Sequence, residues 1–274
     1  MCQNFTKTFG NNIYLFINFN VYKVILVSLT NFLKKNLPAF SLIFFYKILL
    51  CIRTLFWRVQ IIYCPICAKL KKTFYTGLFP WIYLVCSGCL SLSRQRLIVN
   101  YLKKNNNLNK KNIIHFAPEN SLVKFINKNY KIKKYDAVDL IANEQITHIN
   151  IENINKNYYN NYDLVICNHV LEHVNFIRAI SNLKKLVKIN GEILLTFPII
   201  DSWKKNYINK KIKNHYDKSL HFQQFDHLHL FGREIEKYLA DINFICTKHV
   251  ATGKESVKFG LIQGETLFVL KKIK

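Results

Sequence analysis

At 274 residues the chain can bury a sizeable core, as one large domain or as one domain with an appendage. Half of it is hydrophobic and 14% is aromatic, which excludes wholesale disorder. Forty Lys and Arg against 16 Asp and Glu give a formal net charge of +24, a balance that suits an anionic partner such as nucleic acid or an acidic membrane.

Lys, Asn, Ile, Phe and Tyr are inflated everywhere, as an A/T-rich coding sequence would make them. The charge, however, is not spread evenly. Residues 1–118 hold 16 Lys and Arg, and the first acid is Glu119. Coding bias does not remove acids from one part of a chain only, so the N-terminal part reads as a surface for anions.

Residues 1–60 form a basic apolar arm. Lys23, Lys34, Lys35, Lys47, Arg53 and Arg58 interrupt each apolar run before it reaches the roughly 18 residues of a span. In "AFSLIFFYKILLCIRTLFWR", Lys47, Cys51, Thr54 and Arg58 share one helical stripe, with Arg53 off it. The pattern predicts a helix lying on an anionic bilayer, hence a cytoplasmic protein peripheral on the inner face of the membrane. A helix packed on the protein's own core is the competing reading. No cleavable signal peptide is expected.

Residues 61–104 carry "CPIC" and "CSGC" and a connecting helix. Cys64/Cys67 and Cys86/Cys89 are two C-x-x-C pairs with eighteen residues between them. Each pair supplies one edge of a tetrahedron of soft ligands, so a closed structural Zn²⁺ site is predicted rather than disulfides. Cys167, Cys51 and Cys246 read as core thiols. "KKNNNLNKKN" (103–112) then reads as a linker or turn.

From 105 to 274 strands and helices alternate. "NIIHFA" is a strand, "ENSLVKFINKN" a helix, and "KKYDAVDL", "ITHINIENI" and "YDLVICN" are three further strands. A helix over 175–188 buries Phe176, Ile180, Leu183 and Val187, and Asn190-Gly191 ends it before the strand "EILLTFP". A Lys-rich insertion, the helix "GREIEKYLADINF" and the strands "FICTKHVA" and "GETLFVLKK" complete the chain. The order predicts a Rossmann-like, doubly wound, mainly parallel α/β sheet.

Such sheets bind ligands beyond the carboxyl ends of their strands. That places Asn168 and His169, at the end of "YDLVICN", on a ligand crevice, with Glu172 and His173 beginning the next helix beside it. No glycine occurs between Gly88 and Gly191, so the Gly-rich dinucleotide loop is missing, which argues against an NAD or FAD enzyme.

"CPIC…CSGCLSLSRQR", "IIHFAPE", "YDLVICN…LEHV" and "DHLHLFGREIEKYL" occur in the same order as the motifs of a known group. The chain from about residue 60 onward resembles the class I S-adenosylmethionine-dependent methyltransferases that carry an N-terminal zinc ribbon, whose motifs run roughly CPxC…CxxCGSLERHR, ILHFAPE and DHVRxYG. The resemblance implies S-adenosyl-L-methionine as cofactor. His115, Ala117 and Glu119 would stand at its turn, with Glu119 on its amino group. Asp139 would hold the ribose hydroxyls, with Asp136 as the nearby competitor. Asn150 stands where the family often has an Asp facing the adenine, and Asn168 and His169 complete the crevice. His227, from the "DH" motif, would act as a general base on the acceptor side, with His173 of "LEH" beside it. His229 replaces an Arg of the family pattern. The acceptor would be a small molecule, a saccharide or a lipid-linked group. Two other readings stay open: an RNA methyltransferase whose ribbon and arm grip RNA, and a degenerate, non-catalytic binding module.

Overall fold

The computed structural model describes residues 61–76, 83–105 and 107–274. The predicted amphipathic arm and Cys51 lie outside the described residues.

Strands β1 (Ile61–Cys64), β2 (Lys69–Thr76) and β3 (Tyr83–Cys86) form a small antiparallel sheet carrying the cysteine pairs. Helix α1 (Ser93–Asn105) follows, and then a seven-stranded sheet begins. Its strands are β4 (Asn112–Phe116), β5 (Lys134–Asp139), β6 (Thr147–His148), β7 (Tyr162–Asn168), β8 (Val187–Thr196), β11 (Phe244–Val250) and β12 (Thr266–Lys272). They lie in the order β11-β12-β8-β7-β4-β5-β6. All neighbours are parallel except at β12, which runs antiparallel to both β8 and β11. This is the Rossmann-like, doubly wound, mainly parallel sheet expected of the class I methyltransferase fold.

Period-two alternation splits the core between the two faces. Val165 and Cys167 of β7 face one cluster with Ile193 and Leu195 of β8, covered by helix α3 (Phe176–Leu186) through Phe176, Ile180 and Leu183. Leu164 and Ile166 face the other, covered by α1 and by α2 (Asn120–Asn129) through Leu97, Leu102, Leu122 and Phe125. Helix α1 therefore belongs to the α/β domain as much as to the small cysteine-bearing sheet. Asn175 starts α3 by accepting the amide of Arg178 at 3.3 Å.

Several boundaries differ from the sequence reading. Helix α3 ends at Leu186, and β8 begins at once with Val187, so Asn190-Gly191 lies inside a strand. Asn190 takes φ +63, and a Cβ on Gly191 would lie 2.7 Å from Val187 Cγ2 and 3.0 Å from Asp163 O. The glycine serves close packing beside an irregular pairing with β7, not a helix stop. The strand expected over "ITHINIENI" shrinks to two residues. The Asn150 side chain accepts the Glu152 amide at 2.8 Å and turns the chain, and Ile149, Ile151 and Ile154 are buried from that turn.

Helix α5 covers only Ile235–Leu239, leaving Ile242 86% exposed. Cys246 is exposed on the edge strand β11, where no layer covers it, and is not a core thiol; Cys167 is buried. The Lys-rich insertion folds as the short pair β9 (Tyr207–Ile208) and β10 (His229–Leu230) with helix α4 (His215–Phe222) between them. A further helix, α6 (Gly253–Phe259), joins β11 to β12.

Candidate active site

Strands β4, β5 and β6 proceed to one edge of the sheet, whereas β7 and β8 return on the other side of β4. The ends of β4 and β7 therefore flank the topological switch point, where open α/β sheets bind ligands. Both strands end there in a left-handed residue that is not glycine, Ala117 at φ +48 and His169 at φ +53. The Ala117 amide donates to Val138 O at 2.9 Å and the His169 amide to Thr196 O at 2.8 Å. Each backbone is thus held in a conformation that costs a side-chain-bearing residue about 1–2 kcal/mol.

Polar side chains link the ends of β8, β7 and β4 across this crevice and reach back to the start of β5. Thr196 Oγ1, on β8, donates to Asn168 Oδ1, on β7. Asn168 Nδ2 donates to Glu119 Oε1, in the turn after β4. Glu119 Oε2 lies 3.2 Å from His115 Nε2, and His115 Nδ1 lies 2.7 Å from the Tyr135 hydroxyl on β5. The carboxylate is an acceptor, so Nε2 carries the proton and Tyr135 donates to Nδ1. Arg94 Nε stands 3.8 Å from Glu119 Oε1. Burial opposes charge on Glu119, but His115, Arg94 and Gln95 outweigh it and hold the carboxyl below its usual range. Burial, with the Glu119 charge, pushes the Tyr135 phenol well above its usual range.

The sequence-predicted residues fall into three places. His115, Ala117, Glu119, Asn168 and His169 meet at the switch point. Asn168 is 2% exposed, with both ends of its amide engaged in the network. Asp139 ends the neighbouring β5, where its Oδ1 accepts the Leu140 amide at 2.6 Å. Asp136 lies farther back in β5, bonded to the Tyr162 hydroxyl at 2.5 Å and to Lys134 at 2.7 Å. Asn150 is exposed in the turn beyond β6.

His173 and His227 come together on the far side of His169, their ring centroids 4.7 Å apart. The turn Leu171–His173 is held by the Leu228 amide, which donates to Glu172 O at 2.9 Å, and by His229 Nε2, 3.1 Å from Leu171 O. His229 is thus a buried clamp between elements. His227 Nδ1 donates to Phe222 O at 3.0 Å, and burial lowers its pKa. A cavity of about 220 Å³ opens here, lined among others by Arg94, His169, Glu172, His173, Gln224 and His227. A larger one, about 470 Å³, lies at the opposite ends of the strands beside Tyr159, Lys184 and Lys272. None of the residues at the β4/β7 crevice lines it.

Sequence reasoning passed over Arg94, Thr196 and Tyr135 as site residues. Only "SLSRQR" carried a signal for Arg94, as part of a motif with no assigned role.

The four cysteine sulfurs of the small sheet lie within 4.8 Å of one another. Cys64 and Cys89 sulfurs are 3.6 Å apart, and those of Cys67 and Cys86 are 3.8 Å apart. A tetrahedron with metal–sulfur bonds of about 2.3 Å has edges of about 3.8 Å, so this donor set fits zinc. The Cys67 amide points to Cys64 Sγ at 3.5 Å and the Gly88 amide to Cys86 Sγ at 3.4 Å, which supports the sulfurs as anions.

No protein-family model matches the chain. An uncharacterized protein of Methanocaldococcus jannaschii is 33% identical over 67 residues, which is 24% of this chain and 29% of that protein's length. Among solved structures, a S-adenosylmethionine-dependent methyltransferase from Mesorhizobium loti matches at 10% identity and a TM-score of 0.46, over 64% of this chain and 97% of that one. The CurJ carbon methyltransferase matches at 14% identity and 0.42, over 66% of this chain and 53% of that one. The 1,6-didemethyltoxoflavin-N1-methyltransferase of Burkholderia thailandensis matches at 10% and 0.43, over 66% and 76%. The chain thus spans about half the length of the CurJ chain and under a third of its curated relative.

Replacing Glu119 by Gln sets an amide donor against the donors of His115 or Asn168. The wild type should be more stable than Glu119→Gln at pH 7 by about 1.5–3 kcal/mol, the scale of hydrogen bonds to a charged group. The folded pKa of Glu119 is depressed, so this advantage is present above about pH 4.5 and shrinks as pH falls further. Urea denaturation of both proteins at pH 7 and at pH 3.5 measures it.

Proposed function

We propose that the chain is an S-adenosylmethionine-dependent methyltransferase with its cofactor at the β4/β7 crevice. The observation that carries this reading is an ionised carboxylate, Glu119, in the turn after the first strand of the large sheet, where a dinucleotide site needs glycine amides for pyrophosphate. A carboxylate there repels phosphate and attracts a ligand with positive charge. Its hydrogen bonds to Asn168 and His115 leave it acceptor capacity for an ammonium. Asp139, one strand over, offers acceptors for two ribose hydroxyls.

When bound, S-adenosylmethionine supplies a methyl group on a sulfonium, which leaves as a neutral thioether. The protein's share is then mostly positioning. His227 and His173 line the cavity on the acceptor side. With Nδ1 of His227 committed to Phe222, its Nε2 keeps a lone pair, and burial keeps the ring neutral near pH 7. Among the described residues the lining is mostly polar, with Arg94, Glu172, Gln223, Gln224 and three histidines. That lining suits a compact polar acceptor, such as a sugar or lipid-linked hydroxyl. Cys64, Cys67, Cys86 and Cys89 hold a structural zinc with no open position. Residues 1–60 attach the protein to the anionic inner face of a membrane, since their aliphatic and aromatic side chains offer little to a nucleic-acid backbone. Among the described residues no helix is long and apolar enough to cross a membrane.

Calorimetry tests the cofactor site. Asp139→Ala should weaken S-adenosylmethionine binding by about 1.5–3 kcal/mol, and Asp136→Ala by much less; the reverse order would move the site. Zinc is checked by thiol titration of the folded protein, in which the four ribbon cysteines should resist reagent until a chelator is added. Equal reactivity before and after chelation refutes it. For the arm, the full chain should float with anionic vesicles and a chain starting near residue 60 should not. If both sediment, the arm has another role.

A further inference from the structure

Glu172, His173 and His227 each place one potential ligand atom within 4.8 Å of the others. Glu172 is the unusual member. Its side chain is 1% exposed, yet neither carboxylate oxygen makes a hydrogen bond of good geometry. Oε1 lies 3.1 Å from His169 Nδ1, close enough for attraction but not aligned as a hydrogen bond. A buried carboxylate in that state costs several kcal/mol unless positive charge meets it.

One imidazole is anchored as metal ligands usually are: His227 gives Nδ1–H to the Phe222 carbonyl. His173 Nδ1 lies 3.2 Å from Asp226 Oδ2, an ion-pair contact and not an aligned hydrogen bond. His227 therefore keeps its lone pair on Nε2, and the Asp226 carboxylate stands beside the ring of His173. The bonds that fix the Leu171–His173 turn against β10 hold the cluster in place without help from a ligand.

We propose that Glu172, His173 and His227 bind a divalent first-row transition-metal ion at the wall of the 220 Å³ cavity. Two imidazoles with one carboxylate favour such an ion over Mg²⁺ or Ca²⁺, which take oxygen ligands. Three protein ligands leave coordination positions open to the cavity. There the ion would hold an acceptor oxygen and lower the pKa of its O–H, so that His227 acts through the ion and not as a free base. That role rests on the methyltransferase reading; ion binding itself does not. The competing account is that the His169 contact alone compensates the buried Glu172.

The experiment is a Co²⁺ titration of the full chain with its thiolate site already filled by zinc, followed by visible absorption and metal analysis, with no cofactor present. One further equivalent of Co²⁺ should bind, giving d–d bands without thiolate-to-cobalt charge transfer. Asp226→Asn should weaken it about 10–100-fold, as loss of a ligand-orienting carboxylate does. His173→Ala, at a partly exposed position, and Glu172→Gln should abolish it while circular dichroism shows the wild-type fold. If the wild type takes up no cobalt outside the thiolate site, or His173→Ala takes up as much as wild type, the proposal is overturned. Because the titration omits S-adenosylmethionine, its result stands apart from that of cofactor binding.

Discussion

The hydrogen-bond chain Thr196–Asn168–Glu119–His115–Tyr135 is the constraint on which the rest of the site depends. It crosses the ends of three neighbouring strands, β8, β7 and β4, reaches back to the start of β5, and puts one ionised carboxylate at its centre. In a buried setting a satisfied network of this kind fixes geometry, because breaking any one bond leaves another polar group stranded. It explains how the β4 turn is shaped without glycine. Ala117 takes the left-handed conformation that a glycine would take freely, and the anchored Glu119 two residues later holds it there. The chain also sorts functions. His115 and Asn168 spend their hydrogen bonds inside the network, so they position Glu119, while Asp139 and the His173/His227 pair remain at its two flanks.

A second constraint ties the cysteine sheet to this crevice. Arg96 is fully buried and donates to the carbonyls of Leu84, Ser91, Phe259 and Gly260. Burial lowers its pKa, and the nearby sulfurs of Cys64 and Cys86 act against that shift, so guanidinium and thiolates offset each other's desolvation. Gly260, at φ +63, lets Ile62 and Leu84 approach where a Cβ would meet them at 2.9 and 3.1 Å. The neighbours of Arg96 reach inward as well. Ser93 donates to Glu265, Gln95 accepts from Ser121 at 2.8 Å, and Arg94 faces Glu119. The "SLSRQR" stretch thus couples the cysteine sheet, the β4 turn and the loop before β12, so the cysteine cluster and the crevice share one structural support.

How much of this was legible in the sequence follows from the range of the interactions. The strands "NIIHFA", "YDLVICN" and "EILLTFP" were readable because apolar runs of that length have few alternatives, and the cysteine pairs because their spacing is itself the signal. The strand ends were readable too, since polar residues after a buried strand must lie at the sheet's edge. What was not legible depended on contacts distant in sequence. Asn190-Gly191 looks like a helix stop until Val187 and Asp163 are seen packed against it. The turn in which Asn150 accepts the Glu152 amide does not show in "ITHINIENI", which reads as a strand. Thr196 and Tyr135 carry no motif and enter the site only through partners 28 and 20 residues away. Glu172 was visible in "LEH", but its lack of a hydrogen bond of good geometry is a property of the folded interior alone.

The most direct measurement is a crystal structure of the full chain with S-adenosylhomocysteine, the product left after methyl transfer. The ligand should lie across the ends of β4 and β7, its amino group near Glu119, its ribose on Asp139 and its sulfur toward the cavity of His173 and His227. A crevice left empty at saturating ligand, or ligand bound in the cavity beside Tyr159 and Lys184 at the other end of the sheet, would contradict the account.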